Sequence, residues 1–345
     1  MKVGIAGLRR GQTFLRVFGQ REDAEVAAVS DTSEDVLNEV GDTWGVERRV
    51  SGFEDLLACE LDAVVIATPG ALHASQAIQA LDAGVHVLSE VPAAWSVDEC
   101  HALVSAAGRS NAVYMLGENM CYYHYLMDWR TRIQAGEIGE VTYAEAEYVH
   151  DCRDRILSGN WRREMPPIYY GTHSLGPVLD ILEDRCVQAI GLSTGSRTVP
   201  ETGTIDMEVG LFTTAGGATI KILCGFSVSR EPAFHWQVFY GTKGVIENGR
   251  PPGDSAKIFR EGDVKMTEIA SEVSDPGRKE AVTGGHGQSE VLMVDEFVKM
   301  VRGDTDVGID VYRAVEMTAP GLCAHESALS GGQPVQIPNF RVAKG

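Results

Sequence analysis

Two groups of residues in this sequence have the types and spacing for chemistry. The first is a set of glycines behind a short apolar run, Gly4, Gly7 and Gly11 in Lys2-Val3-Gly4-Ile5-Ala6-Gly7-Leu8-Arg9-Arg10-Gly11. Glycines at a strand-to-helix turn let backbone N–H groups approach a pyrophosphate, which then sits at a helix N-terminus where the dipole favours an anion. The strict spacing G-x-G-x-x-G is not met, because Gly7-Leu8-Arg9-Arg10-Gly11 lacks the second glycine and places the last one early. Asp31 follows Gly7 near the interval of roughly 20 residues expected of a carboxylate that accepts the adenosine ribose hydroxyls. A carboxylate there repels a 2′-phosphate, so NAD is favoured, with NADP left open because Arg9 and Arg10 could pair with an extra phosphate. Asp31 before Thr32, Ser33 and Glu34 also reads as a helix N-cap, and both readings can hold.

The second group is Tyr170-Gly171-Thr172-His173. An imidazole ordinarily titrates near neutrality and suits a general base that takes a hydroxyl proton as hydride leaves. Tyr170 can donate or accept a proton once a neighbouring cation lowers its pKa. Against this, His173 just before a helical stretch at 175–182 also reads as a capping or core histidine, and Tyr170 beside Tyr169 as a core aromatic. Glu90 ends a strand at 85–90, where it can meet a nicotinamide ribose or a substrate; the alternative is an exposed carboxylate or an ion pair. The Asn119 amide can reach cofactor and substrate, or simply serve a turn. Thr68 and Pro69 form a turn at another strand end and place His73 near the cofactor, although this imidazole, like His235 and the cysteines, reads as structural. Tyr148, His150 and Arg153 alternate near one strand end and can line a pocket or a solvated face. Trp161 and Arg162 can stack on substrate or anchor a domain, and His286 lies between Gly285 and Gly287 on a loop that can close over substrate or stay at the surface.

The elements that must position these residues fall into two sets. Apolar stretches at 2–6, 25–30, 62–68 and 85–90 alternate with helical spacing at 12–20, 75–83 and 97–108, the pattern of a parallel sheet covered on both faces. A longer amphipathic stretch at 122–136 carries Leu126, Trp129 and Ile133. Beyond it the strands alternate one-sidedly, at 142–149, 205–212 and 218–226, with Gly216-Gly217 as a hairpin turn. Helical spacing returns at 290–301 and 312–330. The expected fold is α/β, with an N-terminal Rossmann dinucleotide-binding domain at 1–121 and an α+β domain at 122–345 whose open sheet is mainly antiparallel.

At 345 residues the chain is long enough for two domains. Its 49 acidic against 30 basic residues give a formal charge of −19, which argues against nucleic acid and anionic membranes as partners. No apolar run nears the roughly 18 residues that span a bilayer, and a strand at residue 2 leaves no room for an export leader, so a cytoplasmic location is expected. Seven cysteines without a C-x-x-C pair suit reduced, mostly buried thiols, and nine dispersed histidines give no indication of a metal site.

Several motifs together resemble one family. The glycine turn, Asp31, Thr68-Pro69 with His73, Gly84-Val85-His86-Val87, Glu90-x-Pro92, Trp161-Arg162, Gly171-Thr172-His173 and Tyr240-Gly241-Thr242-Lys243-Gly244 resemble the glucose-fructose oxidoreductase / inositol dehydrogenase (Gfo/Idh/MocA) family across nearly the whole chain. The resemblance implies a Rossmann NAD(P) domain, a substrate domain whose open sheet forms homo-oligomers, and hydride transfer at a sugar or polyol carbon. Dehydrogenases of the family carry Glu-Lys-Pro, with the lysine between nicotinamide and substrate, and an aspartate four residues before the catalytic histidine. Here those positions are Val91 and Tyr169.

Both departures resemble one branch, the NAD-dependent α-N-acetylgalactosaminidases. The similarity rests on Glu90-Val91-Pro92-Ala93-Ala94, Glu118-Asn119-x-Cys121-Tyr122, Tyr148-x-His150-Asp151-x-Arg153, Tyr170-x-Thr172-His173-x-Leu175-Gly176-Pro177 and Gly285-His286-Gly287. The branch implies a redox-neutral cycle: a ring hydroxyl is oxidised, the acidified neighbouring C–H loses its proton, the aglycone is eliminated, water adds and the hydride returns. The segment 154–167 is short beside its counterpart in that branch. Three functions follow as expectations: an NAD-dependent oxidoreductase of a sugar or glycoside with His173 as base, a redox-neutral glycosidase on the same site, and a catalytically silent sensor of NAD or sugar, suggested by the loss of lysine at Val91.

Overall fold

The computed structural model describes residues 1–230, 233–250, 254–269, 289–304 and 307–341. The uninterrupted apolar runs of the first third have no polar face for solvent, and they form a parallel sheet covered on both sides. β1 (Lys2–Ala6), β2 (Glu25–Ser30), β3 (Arg49–Val50), β4 (Ala63–Ile66), β5 (His86–Ser89) and β6 (Tyr114–Leu116) lie in the order β3-β2-β1-β4-β5-β6. Every pairing is parallel. The order reverses between β1 and β4, the point at which doubly wound sheets take their ligands. α1 (Leu8–Gly19), α2 (Glu34–Trp44), α3 (Phe53–Leu57), α4 (His73–Asp82) and α5 (Val97–Arg109) connect the strands. α1 turns Phe14 and Phe18, one helical turn apart, fully into the core, where Ile5, Val64 and Val65 are also wholly buried.

The second sheet is built on alternation. α6 (His124–Gln134), β7 (Val141–Val149), α7 (Arg153–Leu157), α8 (Thr172–Leu182), β8 (Cys186–Ser193), β9 (Met207–Thr214), β10 (Thr219–Gly225), β11 (Phe234–Gly241), β12 (Gly244–Glu247), β13 (Ala256–Arg260) and β14 (Thr267–Ile269) precede two late helices, α9 (Ser289–Val301) and α10 (Val311–Leu329), and a last strand β15 (Val335–Gln336). Nine strands lie in the order β14-β13-β12-β11-β7-β10-β9-β8-β15. Phe212, Ile220, Ile222 and Ala146 are buried on one face, whereas Leu192, Leu211 and Tyr240 on the other remain exposed. Trp129 of α6 is buried edge-on against Phe239 of β11, with ring centroids 6.1 Å apart.

The pairings are antiparallel apart from β10 with β7, which is parallel. The chain between those two strands passes through α7, α8, β8 and β9, a crossover long enough to return it in the same direction. The hairpin at Gly216-Gly217 forms between β9 and β10, with Gly217 at φ +94. α8 starts at Thr172, earlier than the helical spacing indicates, so His173 stands in its first turn. Pro177, inside α8, has no N–H to give to the His173 carbonyl.

The chain divides into two compact units, Met1–Tyr122 with Arg278–Val315, and Tyr123–Gly277 with Glu316–Gly345. The sequence reading took 122–345 as one domain; the structure groups α9 and the start of α10 with the first unit. Tyr122 donates its hydroxyl to Glu296 at 2.7 Å, and the Leu116 N–H bonds the Ile309 carbonyl at 2.9 Å. Met293 and Phe297 bury fully there. Among the described residues no helix is long and apolar enough to cross a membrane.

Candidate functional site

In the first unit the residues expected at a dinucleotide stand just beyond the carboxyl ends of parallel strands. Gly7 follows β1, Asp31 follows β2, Thr68 and Pro69 follow β4, Glu90 follows β5, and Asn119 follows β6. Gly7 caps α1 at φ +84, and a Cβ there would stand 2.4 Å from the Ala67 carbonyl oxygen. Only glycine fits such a cradle. Asp31 accepts the Leu8 N–H at 2.8 Å and the Ser33 N–H at 2.9 Å, tying the start of α1 to the end of β2. The cap of α2 is Ser33, whose hydroxyl accepts the Val36 N–H, so Asp31 does not fill that role. Each Asp31 oxygen keeps a lone pair for a ribose hydroxyl.

Arg9 is exposed. Arg10, the other side chain considered for an extra phosphate, instead donates Nε–H to Glu90 at 2.6 Å and a terminal N–H to Glu290 at 3.1 Å. Burial works against its charge, but Glu90 and Glu290 outweigh that and hold the guanidinium above the usual arginine range. Glu90 therefore meets Arg10 here. The Thr68 hydroxyl donates to Gln76 at 2.6 Å. His73, which opens α4, is wholly buried between two carbonyls, with Nδ1 2.9 Å from Pro92 O and Nε2 2.8 Å from Thr68 O. Burial pushes its pKa down. His73 thus joins the turn after β4 to the turn after β5.

Asn119 is 3% exposed, and its Oδ1 is buried with no hydrogen-bond partner among the described residues. A buried acceptor without a donor costs on the order of 1–3 kcal/mol, so a bound polar ligand suits it. This orphaned atom, the Gly7 cradle and the Asp31 carboxylate fit NAD. Asp31→Asn, which removes the charge, is expected to weaken NAD binding at least about tenfold, about 1.4 kcal/mol in Kd by titration calorimetry. Unchanged affinity would refute the assignment.

The second unit gathers an aromatic and histidine cluster at the ends of β7, β10 and β11. Tyr170 meets His173 edge-on with ring centroids 4.8 Å apart, and Tyr148 lies 5.7 Å from His173. Phe226 closes against Tyr148 at 5.1 Å and Tyr170 at 5.7 Å. The Tyr148 hydroxyl comes within 3.4 Å of His150 Nδ1. Trp161 stands 6.2 Å from Tyr170, and the Arg162 guanidinium lies 4.5 Å from the Trp161 ring centre and 5.5 Å from that of Tyr170. Burial pushes the Tyr148 pKa up, with Tyr170 adding to the effect and Arg162 opposing it, so Tyr148 stays a neutral donor near pH 7.

His235 was expected to be structural, yet it belongs to this cluster. It pairs across strands with Tyr148, stacked 3.9 Å away at 20°. Only the β11–β7 register makes them neighbours. Arg153 turns aside, binding Asp151 through two nitrogens and approaching the Ser229 hydroxyl at 3.3 Å. His286 lies outside the described residues.

The comparisons with known proteins agree with this division. Residues 1–118 match the family described as oxidoreductase family, NAD-binding Rossmann fold. Residues 127–247 match the GFO/IDH/MocA C-terminal domain, and residues 204–344 the C-terminal domain of glycosyl hydrolase 109. A glycosyl hydrolase family 109 protein of Solibacter usitatus is 28% identical over 390 aligned positions, covering 100% of this chain and 89% of its own. Levoglucosan dehydrogenase, solved with NADH and levoglucosan, shares the fold at TM-score 0.84 and 18% identity, over 98% of this chain and 99% of that one. An oxidoreductase of Agrobacterium radiobacter, solved with NAD+, L-tartaric acid and magnesium, gives TM-score 0.82 and 20% identity over 97% of this chain and 98% of that one. With the Rossmann strand order, the glycine cradle and these matches spread over both units, the chain belongs to the Gfo/Idh/MocA family of NAD-binding oxidoreductases.

Proposed function

We propose that the protein oxidises a ring hydroxyl of a sugar or glycoside with NAD, and that His173 is the general base. The observation that carries this reading is the contact of Tyr170 and His173 inside one aromatic cluster, in a chain whose other unit is an NAD-binding fold. When bound, NAD supplies a hydride acceptor that can also return what it accepts. Gly7, Leu8 and Asp31 hold its pyrophosphate and adenosine ribose, while Thr68, Pro69, His73, Glu90 and Asn119 shape the nicotinamide side. The His173 imidazole takes the proton from the ring hydroxyl as its carbon loses hydride. Tyr148, kept protonated, donates to a sugar oxygen beside it. Tyr170, in edge-on contact with His173, passes that one proton on toward solvent. His150, Trp161 and Arg162 bind the sugar. One neighbour's bound levoglucosan supports a carbohydrate substrate.

The redox-neutral glycosidase is the second reading. Two observations favour it: the match of residues 204–344 to glycosyl hydrolase 109, and the buried Val91, 2% exposed, where sugar dehydrogenases carry lysine. We further propose that the protein is cytoplasmic and assembles as a homo-oligomer through the face of the nine-stranded sheet that exposes Leu192, Leu211 and Tyr240.

The test is to incubate purified protein, with and without NAD, against p-nitrophenyl glycosides while following NADH and p-nitrophenol. NADH without p-nitrophenol establishes net dehydrogenation. NAD-dependent p-nitrophenol without net NADH establishes the glycosidase. Sugar binding to the NAD complex with neither signal would refute both and leave a sensor.

A further inference from the structure

The turn that carries Tyr170 and His173 rests on a pair, a buried carboxylate and a partly buried imidazole, with no part in the chemistry so far. Glu208, in β9, is 2% exposed, and both its oxygens are engaged. Oε2 accepts the Ile168 backbone N–H at 3.1 Å, and Oε1 faces His325 Nδ1 of α10 at 2.7 Å. A carboxylate only accepts, so Nδ1 carries the proton. Ile168 lies in the short 3-10 turn Pro167–Tyr170 that leads into α8.

Its carbonyl is boxed in as well. It accepts the Gly171 N–H at 3.0 Å, and a Cβ at Gly171 or Gly321 would stand 2.8 or 2.4 Å from that oxygen. The Tyr169 ring meets the His325 imidazole edge-on at 5.3 Å. In sheet register Glu208 pairs with Cys224, Cys224 with Tyr148, and Tyr148 with His235. Directly paired residues share a face, so the carboxylate stands in the same cross-strand row as two rings of the cluster. The burial of Cys224, with Glu208 adding to it, holds that thiol well above its usual pKa, leaving it an inert spacer in the row.

A buried carboxylate is costly unless every acceptor finds a donor, and here the two donors come from separate elements. The carboxylate therefore fixes the height and direction of the backbone at Ile168, two residues before Tyr170. Misplacing a reacting group by about 1 Å can cost on the order of 100-fold in rate. We infer that Glu208 and His325 are a positioning pair for the Tyr170–His173 turn. The inference rests on the reading of Tyr170 and His173 as the reacting residues.

His325→Leu removes the donor, whereas His325→Asn places an amide N–H where Nδ1–H stood. Both are made in the full chain with NAD bound, and hydrogen exchange is followed at the Ile168 amide. The leucine variant is expected to exchange about tenfold faster, with kcat on the responsive p-nitrophenyl glycoside about tenfold lower and KM and NAD Kd within about twofold. The asparagine variant restores exchange and kcat to within about threefold. Unchanged exchange in the leucine variant, or an asparagine variant no better than leucine, overturns the positioning pair. A fully active His173→Ala variant defeats the catalytic reading alone, because the exchange result still judges the anchor. An inactive His173→Ala beside a His325→Leu of wild-type kcat defeats the anchor's catalytic role alone.

Discussion

His173→Ala is expected to lower kcat by about 10²- to 10⁴-fold, the range typical of losing a positioned general base. Its NAD affinity should stay within about twofold, because the residues proposed to hold the nucleotide all belong to the other unit. The ring sits in the first turn of α8, edge-on to Tyr170 and 5.7 Å from Tyr148. Removing it leaves two phenols, one of which burial keeps protonated, and no imidazole at that point in the cluster. Part of the loss should return with added imidazole at tens of millimolar, since the cavity left is the size of the missing base. A variant retaining more than about a tenth of wild-type kcat would mean that the proton goes elsewhere.

Gly7→Ala should weaken NAD binding on the order of 100-fold, about 2.7 kcal/mol. Two penalties act together. The φ of +84 is a conformation that costs a side-chain-bearing residue about 1–2 kcal/mol, and the new Cβ would stand 2.4 Å from a backbone oxygen. The turn must shift, and with it the Leu8 N–H that Asp31 now accepts at 2.8 Å. Gly19→Ala is the control: it lies in the same helix and its Cβ would meet nothing within 4 Å. Equal NAD affinity in the two variants, measured by calorimetry, would show that the cradle is not where the pyrophosphate sits.

The placement of the residues proposed for the nucleotide was largely legible, because it follows from local pattern. Each uninterrupted apolar run marks a buried parallel strand, and the polar residue that ends it lands on the ligand edge: Asp31 after β2, Glu90 after β5. The partner of Arg10 was not legible. Glu290 is 280 positions away, and no periodicity in α9 distinguishes it from a solvent-facing acid. His235 escaped for a related reason. Alternation shows which face of β11 it takes, but only pairing with β7 sets it on Tyr148, and register is a long-range property. The grouping of Arg278–Val315 with the first unit depends likewise on contacts such as Tyr122 with Glu296, which have no local signature. The pairing of β10 with β7 was hidden too, since a parallel neighbour requires a crossover that one-sided alternation does not reveal.

That crossover has an evolutionary consequence. β7 is held by β10 on one side and β11 on the other, so its frame is complete without the stretch that leaves it at Val149 and returns at β8. The residues proposed to bind the sugar in that stretch, from His150 through Trp161 to Tyr170, lie on an excursion between strands already secured. Doubling the length of such an excursion costs only about 0.6 kcal/mol in loop closure. New specificities can therefore arise here by insertion and deletion, while the row at the strand ends stays in register beneath them.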